Sequence, residues 1–223
     1  MPTLDLQPAS DDGQDTYLNS HNTTRNYGTD QTIWCGGSGA SASTITRGLI
    51  RFDLSDLDGM SITSATLSVR AVEGADATLS IYRALTQWYE GSQNDATPDS
   101  GQNGSTWDLR NHNGSVAWAG GAGGAAGSDW ASTATDSTTS VSNVFSMDVT
   151  DDVQAFADGT ATNYGWWLRV PAWETIDWNV CRLYSSDAGT ASYRPRLVVE
   201  YTESDGASII PHAMHYAQLR RSA

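Results

Sequence analysis

The stretch "RGLIRFDLSDLDGMSITSATLSV", residues 47–69, decides the fold class. Ile50, Phe52 and Leu54 share one phase, with Arg51 and Asp53 on the other. After an aspartate-rich break, Ala65, Leu67 and Val69 are apolar while Thr66, Ser68 and Arg70 are polar. A period of two sends alternate side chains to opposite faces of a strand, one toward a core and one toward water. The stretch therefore predicts two half-buried strands.

The same pattern recurs outward in both directions. "TYLNS" (16–20), "TIWCG" (32–36), "ATLSIYRAL" (77–85), "VFSMDV" (144–149), "YGWWLRV" (164–170), "WNVCRLYSS" (178–186) and "RPRLVVEY" (194–201) are strand-like, and Gly, Asn, Asp and Ser fill the gaps. Short strands with polar turns predict an all-β fold, a jelly-roll β-sandwich, and not a layered α/β fold. One short accessory helix is expected near 150–158. In "MDVTDDVQAFADG" (147–159), Thr150 is placed to cap the amino end, and Asp151 and Asp152 suit the positive pole of the helix dipole. Val153, Phe156 and Ala157 make an apolar stripe and Gly159 stops it. A helix of two turns cannot stand alone, so it must pack on the sheet.

Composition narrows the function classes. A chain of 223 residues fits one large all-β domain. Twelve basic residues, all Arg, oppose twenty-six acidic ones, for a net charge of -14. That balance repels nucleic acid and anionic membranes and suits a well-solvated surface. No run is long enough to span a bilayer, and "MPTLDLQPASDDGQD" has neither the basic start nor the apolar core of a signal peptide. Cys35 and Cys181 share phase with Ile33 and Leu183, which leaves two readings open: buried thiols or a cross-sheet disulfide. Acidic stretches such as "ASDDGQD" offer oxygens that calcium accepts, but without the spacing of an EF-hand loop. No cofactor is expected and no metal ligand set is predicted.

Two regions depart from the strand pattern. Residues 91–142 are small and polar, yet Trp107, Trp118 and Trp130 recur through them. Disordered linkers have few aromatics, so these rings read as pegs that pin a long connection against the sheets. The segment after Tyr201 adds apolar residues and an Arg pair. The expected organisation is an N-terminal arm (1–13), a jelly-roll domain (14–202) and a C-terminal docking tail (203–223). In a docked tail Ile209, Ile210, Met214, Tyr216 and Leu219 would be buried, and Arg220 and Arg221 would pair with acidic groups. Folding back onto its own sheet is the alternative.

Six segments in order carry a family resemblance: "DTYLNSHNTTRNYGTDQTIWCGG", the opening stretch, "IYRALTQWYEG", "STWDLRNHNGSVAWAGGAGG", "MDVTDDVQAFADGTATNYGWWLRV" and "SSDAGTASYRPRLVVEY". Together they resemble the DNRLRE-type domain, a jelly-roll family related to disaggregatase repeats and to some alginate-type carbohydrate-binding modules. The resemblance implies a jelly roll with the 150–158 helix packed against it. Its members occur on secreted and surface proteins, in carbohydrate-active enzymes and in phage particles, so fold alone does not name the function.

Catalysis is not expected. A glycosidase needs two carboxylates across a sugar. Glu90, Asp108, Asp129 and Glu174 with Asp177 stand near tryptophans, but turns in an Asp-rich β-protein account for them. Sugar binding fits better, since binding sites lay flat rings on pyranose faces and aim polar groups at hydroxyls. In "YGWWLRV", Trp167 and Arg169 lie opposite Trp166, Leu168 and Val170, and "PAWETIDWNV" (171–180) adds further rings and acids. The candidate glycan face is Trp167, Arg169, Trp173, Glu174, Asp177 and Trp178, whereas Trp88, Trp107 and Trp118 read as packing. The expected function is a non-enzymatic structural or adhesion module. It would be a decoration or fibre-like part of a phage particle or other surface assembly, outside the cell or on the virion, with polysaccharide as a second partner. The alternative is a carbohydrate-binding module of a secreted or cell-surface protein. A homo-oligomer is compatible with both.

Overall fold

The computed structural model describes residues 1–9, 13–37, 44–176 and 179–203. The opening stretch forms β4 (Ile45–Arg51), a turn with a short 3-10 helix at Ser55–Leu57, and β5 (Met60–Glu73). Ile50, Phe52 and Leu54 enter the core, and Leu57 plugs the turn. In β5 the alternation holds through Ala65, Leu67, Val69 and Ala71. Ile62 is buried as well, although it is out of phase with them. Pairing with the last strand, β13 (Arg196–Glu203), explains this: Glu200 faces Ser64 and Tyr201 faces Ile62, leaving Thr63 as an extra residue. A β-bulge there resets the phase by one position.

β5 is long enough to belong to both layers of a curled antiparallel sheet. In one layer it lies between β13 and β10 (Val144–Asp148), and β13 carries β1 (Thr3–Leu6) on its other side. Residues expected as an arm thus add a strand. At its far end β5 meets β12 (Val180–Tyr184) through Leu183↔Ala71. The second layer continues from β12 through β3 (Thr32–Gly37), β4, β11 (Trp166–Arg169) and β6 (Thr78–Arg83) to β9 (Asp136–Thr139). β2 (Gln14–Asn19) also pairs with β4. Neighbouring strands are mostly distant in sequence, as in a jelly-roll-like sandwich.

The main core fills the space between the layers. Cys35 and Cys181 face each other there on adjacent strands, fully buried and free. Burial pushes the Cys35 thiol well up and that of Cys181 up to about 12. Of the two readings, buried thiols is the one seen. The helix α1 (Thr150–Ala157) packs on β5, with Val153, Phe156 and Ala157 inward. Thr150 is not its cap. Asp148 accepts both the Thr150 backbone N–H (2.9 Å) and its hydroxyl (2.6 Å), and Thr150 Oγ1 accepts from the Ala65 N–H of β5 (2.9 Å). The hydroxyl joins helix to sheet, and the preceding aspartate takes over the capping role. Among the described residues no helix is long and apolar enough to cross a membrane. The tail residues Ile209, Ile210, Met214, Tyr216, Leu219, Arg220 and Arg221 lie outside the described residues.

Candidate functional site: an arginine–tryptophan patch on the second layer

The outward phase of the second layer does not face open water. The segment between β6 and β9, which contains a small hairpin of β7 (Leu109–Asn111) and β8 (Val116–Ala117), folds over it. Leu18, Leu49, Ala84, Trp88, Trp118, Trp130 and Trp167 form a second buried cluster beneath this cover, with Tyr82, Trp107 and Tyr164 packed at its margin. Two indoles of this cluster are also tied down by hydrogen bonds. Trp88 Nε1 donates to the Tyr164 carbonyl (2.7 Å) and Trp118 Nε1 to that of Thr106 (3.0 Å). The buried Asp129 carboxylate accepts the backbone N–H groups of Ala119, Gly120 and Ala125 at 2.8–2.9 Å. The "GGAGG" run is explained at two positions. Gly123 and Gly124 have φ of 77° and 75°, and a Cβ would strike the Trp107 ring at Gly123 and the Trp130 and Trp167 rings at Gly124.

Above this cluster sits a charged patch. Glu174 receives four hydrogen bonds from two guanidiniums: Arg47 Nε (3.1 Å) and Nη2 (2.8 Å), and Arg169 Nε (2.8 Å) and Nη2 (2.9 Å). Arg47 Nη1 also donates to the Gly123 carbonyl (2.8 Å), tying strand β4 to the cover. Both guanidiniums lie over Trp130, at 5.1 and 4.8 Å from its centroid, while Arg47 also stacks on Trp107 and Arg169 on Tyr82. Side-chain exposure is 12% for Arg47, 14% for Arg169 and 8% for Glu174, so the group is nearly desolvated. Burial alone would raise the Glu174 pKa, but the hydrogen bonds and charges of Arg169 and Arg47 outweigh it and hold the carboxyl below its ordinary value. Two cations against one anion leave the patch at a net +1 on a strongly acidic protein.

The structure brings Arg169 and Glu174 together, whereas the half-buried Trp173 packs against the main core beside Gly36 and not on the patch. Trp167 shares their face but is fully covered, between Trp118 (ring centroids 4.9 Å) and Trp130 (4.7 Å). A sugar could stack on it only by displacing the cover, so its place in the patch is that of a floor. Asp177 and Trp178 lie outside the described residues. Sequence reasoning passed over Arg47, although its outward phase in the opening stretch was visible; Trp107, read as packing, does pack on the cluster and is half-buried. Glu174 cannot serve as an acid–base catalyst while both its oxygens are held by arginines.

A comparison with known protein families bears on this arrangement. Residues 8–117 match carbohydrate-binding module family 96. The match runs from β2 to β8 and includes Arg47 and Trp107. It supports a carbohydrate-binding module, a non-catalytic class, and not the narrower DNRLRE-type name. No curated protein matches the chain.

A second polar cluster lies elsewhere in the fold. Asp15 of β2, Glu90 at the root of the covering segment and Asp187 after β12 converge, each offering a carboxylate oxygen within 4.8 Å of the others. Burial raises the Asp15 pKa to about 7, against the Ser186 backbone N–H that its carboxylate accepts. Burial likewise raises Glu90 to about 9, against the Asp15 N–H it accepts, and Asp15 and Asp187 add to the rise. Beside them an open cleft of about 480 Å³ is lined by Gln14, Arg51, Phe52, Asp53, Phe156 and Asn163.

Proposed function

We propose that the chain is a non-catalytic polysaccharide-binding module whose sugar-contacting surface is the arginine–tryptophan patch. The observation that carries the function is the family match over residues 8–117. The patch supports the location. Half-buried Trp107 and Tyr82 flank it, stacked on Arg47 and Arg169, and among the described residues no hydrogen bond uses Arg169 Nη1, so two N–H donors are free for ligand oxygens. A net charge of +1 suits sugar hydroxyls and, better, carboxylate-bearing sugars. Trp130 lies beneath both guanidiniums, and Trp167 packs against Trp130.

The particle-subunit reading rests on the tail beyond Glu203, and no described residue favours it. The test is a panel of neutral and acidic polysaccharides in affinity electrophoresis, with reducing ends assayed in parallel. Retardation by at least one glycan, weakened by Trp107→Ala and Tyr82→Ala and without release of reducing ends, is the expected result. Hydrolysis, or migration unaltered by every glycan, would overturn the proposal.

A further inference from the structure

We propose that Asp15, Glu90 and Asp187, with the hydroxyl of Ser186, hold a calcium ion that staples the covering segment to the sandwich. One carboxylate oxygen from each acid lies within 4.8 Å of the other two. Two oxygens that each sit 2.3–2.6 Å from a single calcium stand at most about 4.6–5.2 Å apart, so one ion fits among the three. The Ser186 hydroxyl is the independent sign of a missing ligand. It is 1% exposed, has no hydrogen-bond partner among the described residues, and stands beside the Asp15 carboxylate, to which the Ser186 N–H donates at 2.7 Å. Buried hydroxyls are ordinarily paired. Asp15 itself is 2% exposed, and among the described residues neither it nor Glu90 makes an ion pair. Arg51 opposes the rise at Glu90 but makes no ion pair with it among the described residues, and burying one carboxylate beside two others is costly.

The donor set decides the ion. It is all oxygen, which excludes the soft and imidazole-seeking metals. Three acids from three separate segments suit the flexible coordination of calcium better than the strict octahedron of magnesium. The bound ion would join β2, the root of the covering segment at Glu90, and the β12–β13 connection at Asp187.

The experiment uses the full chain, stripped with EDTA and dialysed, then titrated with CaCl2 or MgCl2 by calorimetry and followed by thermal unfolding. One calcium per chain is expected, raising Tm by about 5–11 °C at a hundredfold excess over Kd. Asp15→Asn and Glu90→Gln should each weaken binding at least tenfold. Asp187→Asn, at a less buried position, should do the same without impairing the fold. Absence of both heat and Tm shift at 10 mM CaCl2 (about a hundredfold above a ~100 μM site), an equal response to magnesium, or a calcium effect unaltered by Asp187→Asn would overturn the assignment.

Discussion

Glu174→Gln is the most informative single perturbation of the patch. The wild-type carboxylate accepts four charge-assisted hydrogen bonds from Arg47 and Arg169. The amide keeps the shape but removes the charge and turns an N–H₂ group toward guanidiniums that can only donate. Two cations, 12% and 14% exposed, are then left without a counter-ion. Breaking a buried pair from one side costs about 3–5 kcal/mol, because the stranded charge remains desolvated. For a chain of this size each kcal/mol moves Tm by about 2–4 °C, so a fall of about 6–20 °C is expected. Calorimetry at low salt and in 0.5 M NaCl (Debye length about 4 Å) should give the same fall, since nearly buried charges are little screened. Arg47→Met, which leaves the Arg169–Glu174 pair intact, should cost less. A Tm change under about 3 °C for Glu174→Gln, or one that salt abolishes, would show that the cluster is a solvated surface group and refute the reasoning.

Trp167→Ala should cost about 3–5 kcal/mol in denaturant unfolding. Trp167→Phe should cost much less, because the buried indole N–H has no partner among the described residues. Gly124→Ala should lose about 2–4 kcal/mol, from a left-handed backbone plus a Cβ 2.8 Å from the Trp130 ring; an unchanged midpoint would mean that the cover is not packed as described. In EDTA, stability should fall as pH rises. Asp15 and Glu90 bind protons in the fold up to about pH 7 and 9 but release them near pH 4 when unfolded, so their contribution is full below about pH 4 and lost through those folded values. Asp15→Asn should flatten that slope in urea titrations across pH 4–9. Glu174 acts with the opposite sign: its lowered pKa contributes stability above its unfolded value, near pH 4.3, which is lost as pH falls through the folded one.

The layers of the sandwich were legible because alternation is a local signal. Ile50, Phe52, Ala65 and Leu67 declare their face from their neighbours alone. Ile62 did not, since the bulge at Thr63 is set by the register with β13, well over a hundred residues away in sequence. The tryptophans of the covering segment announced an ordered loop, as rings without periodicity do when they serve as anchors. What they anchor to is tertiary information: the phase of Trp167 and Arg169 was readable, but the cover above Trp167 was not. Asp15, Glu90 and Asp187 belong to three distant segments, and no spacing in the chain connects them. Thr150 was misread as a cap because the sequence shows a hydroxyl at the right place but not the Ala65 N–H that claims it.

The indole N–H spectrum of the protein titrated with a retained oligosaccharide tests the central claim most directly, because each tryptophan reports its own surroundings. The Trp107 resonance should shift on binding, while Trp88 and Trp118, whose indoles are bonded inward to Tyr164 and Thr106, stay in place. Shifts confined to Trp34 on β3, or a spectrum unmoved by a sugar that calorimetry shows to bind, would contradict the patch as the binding face.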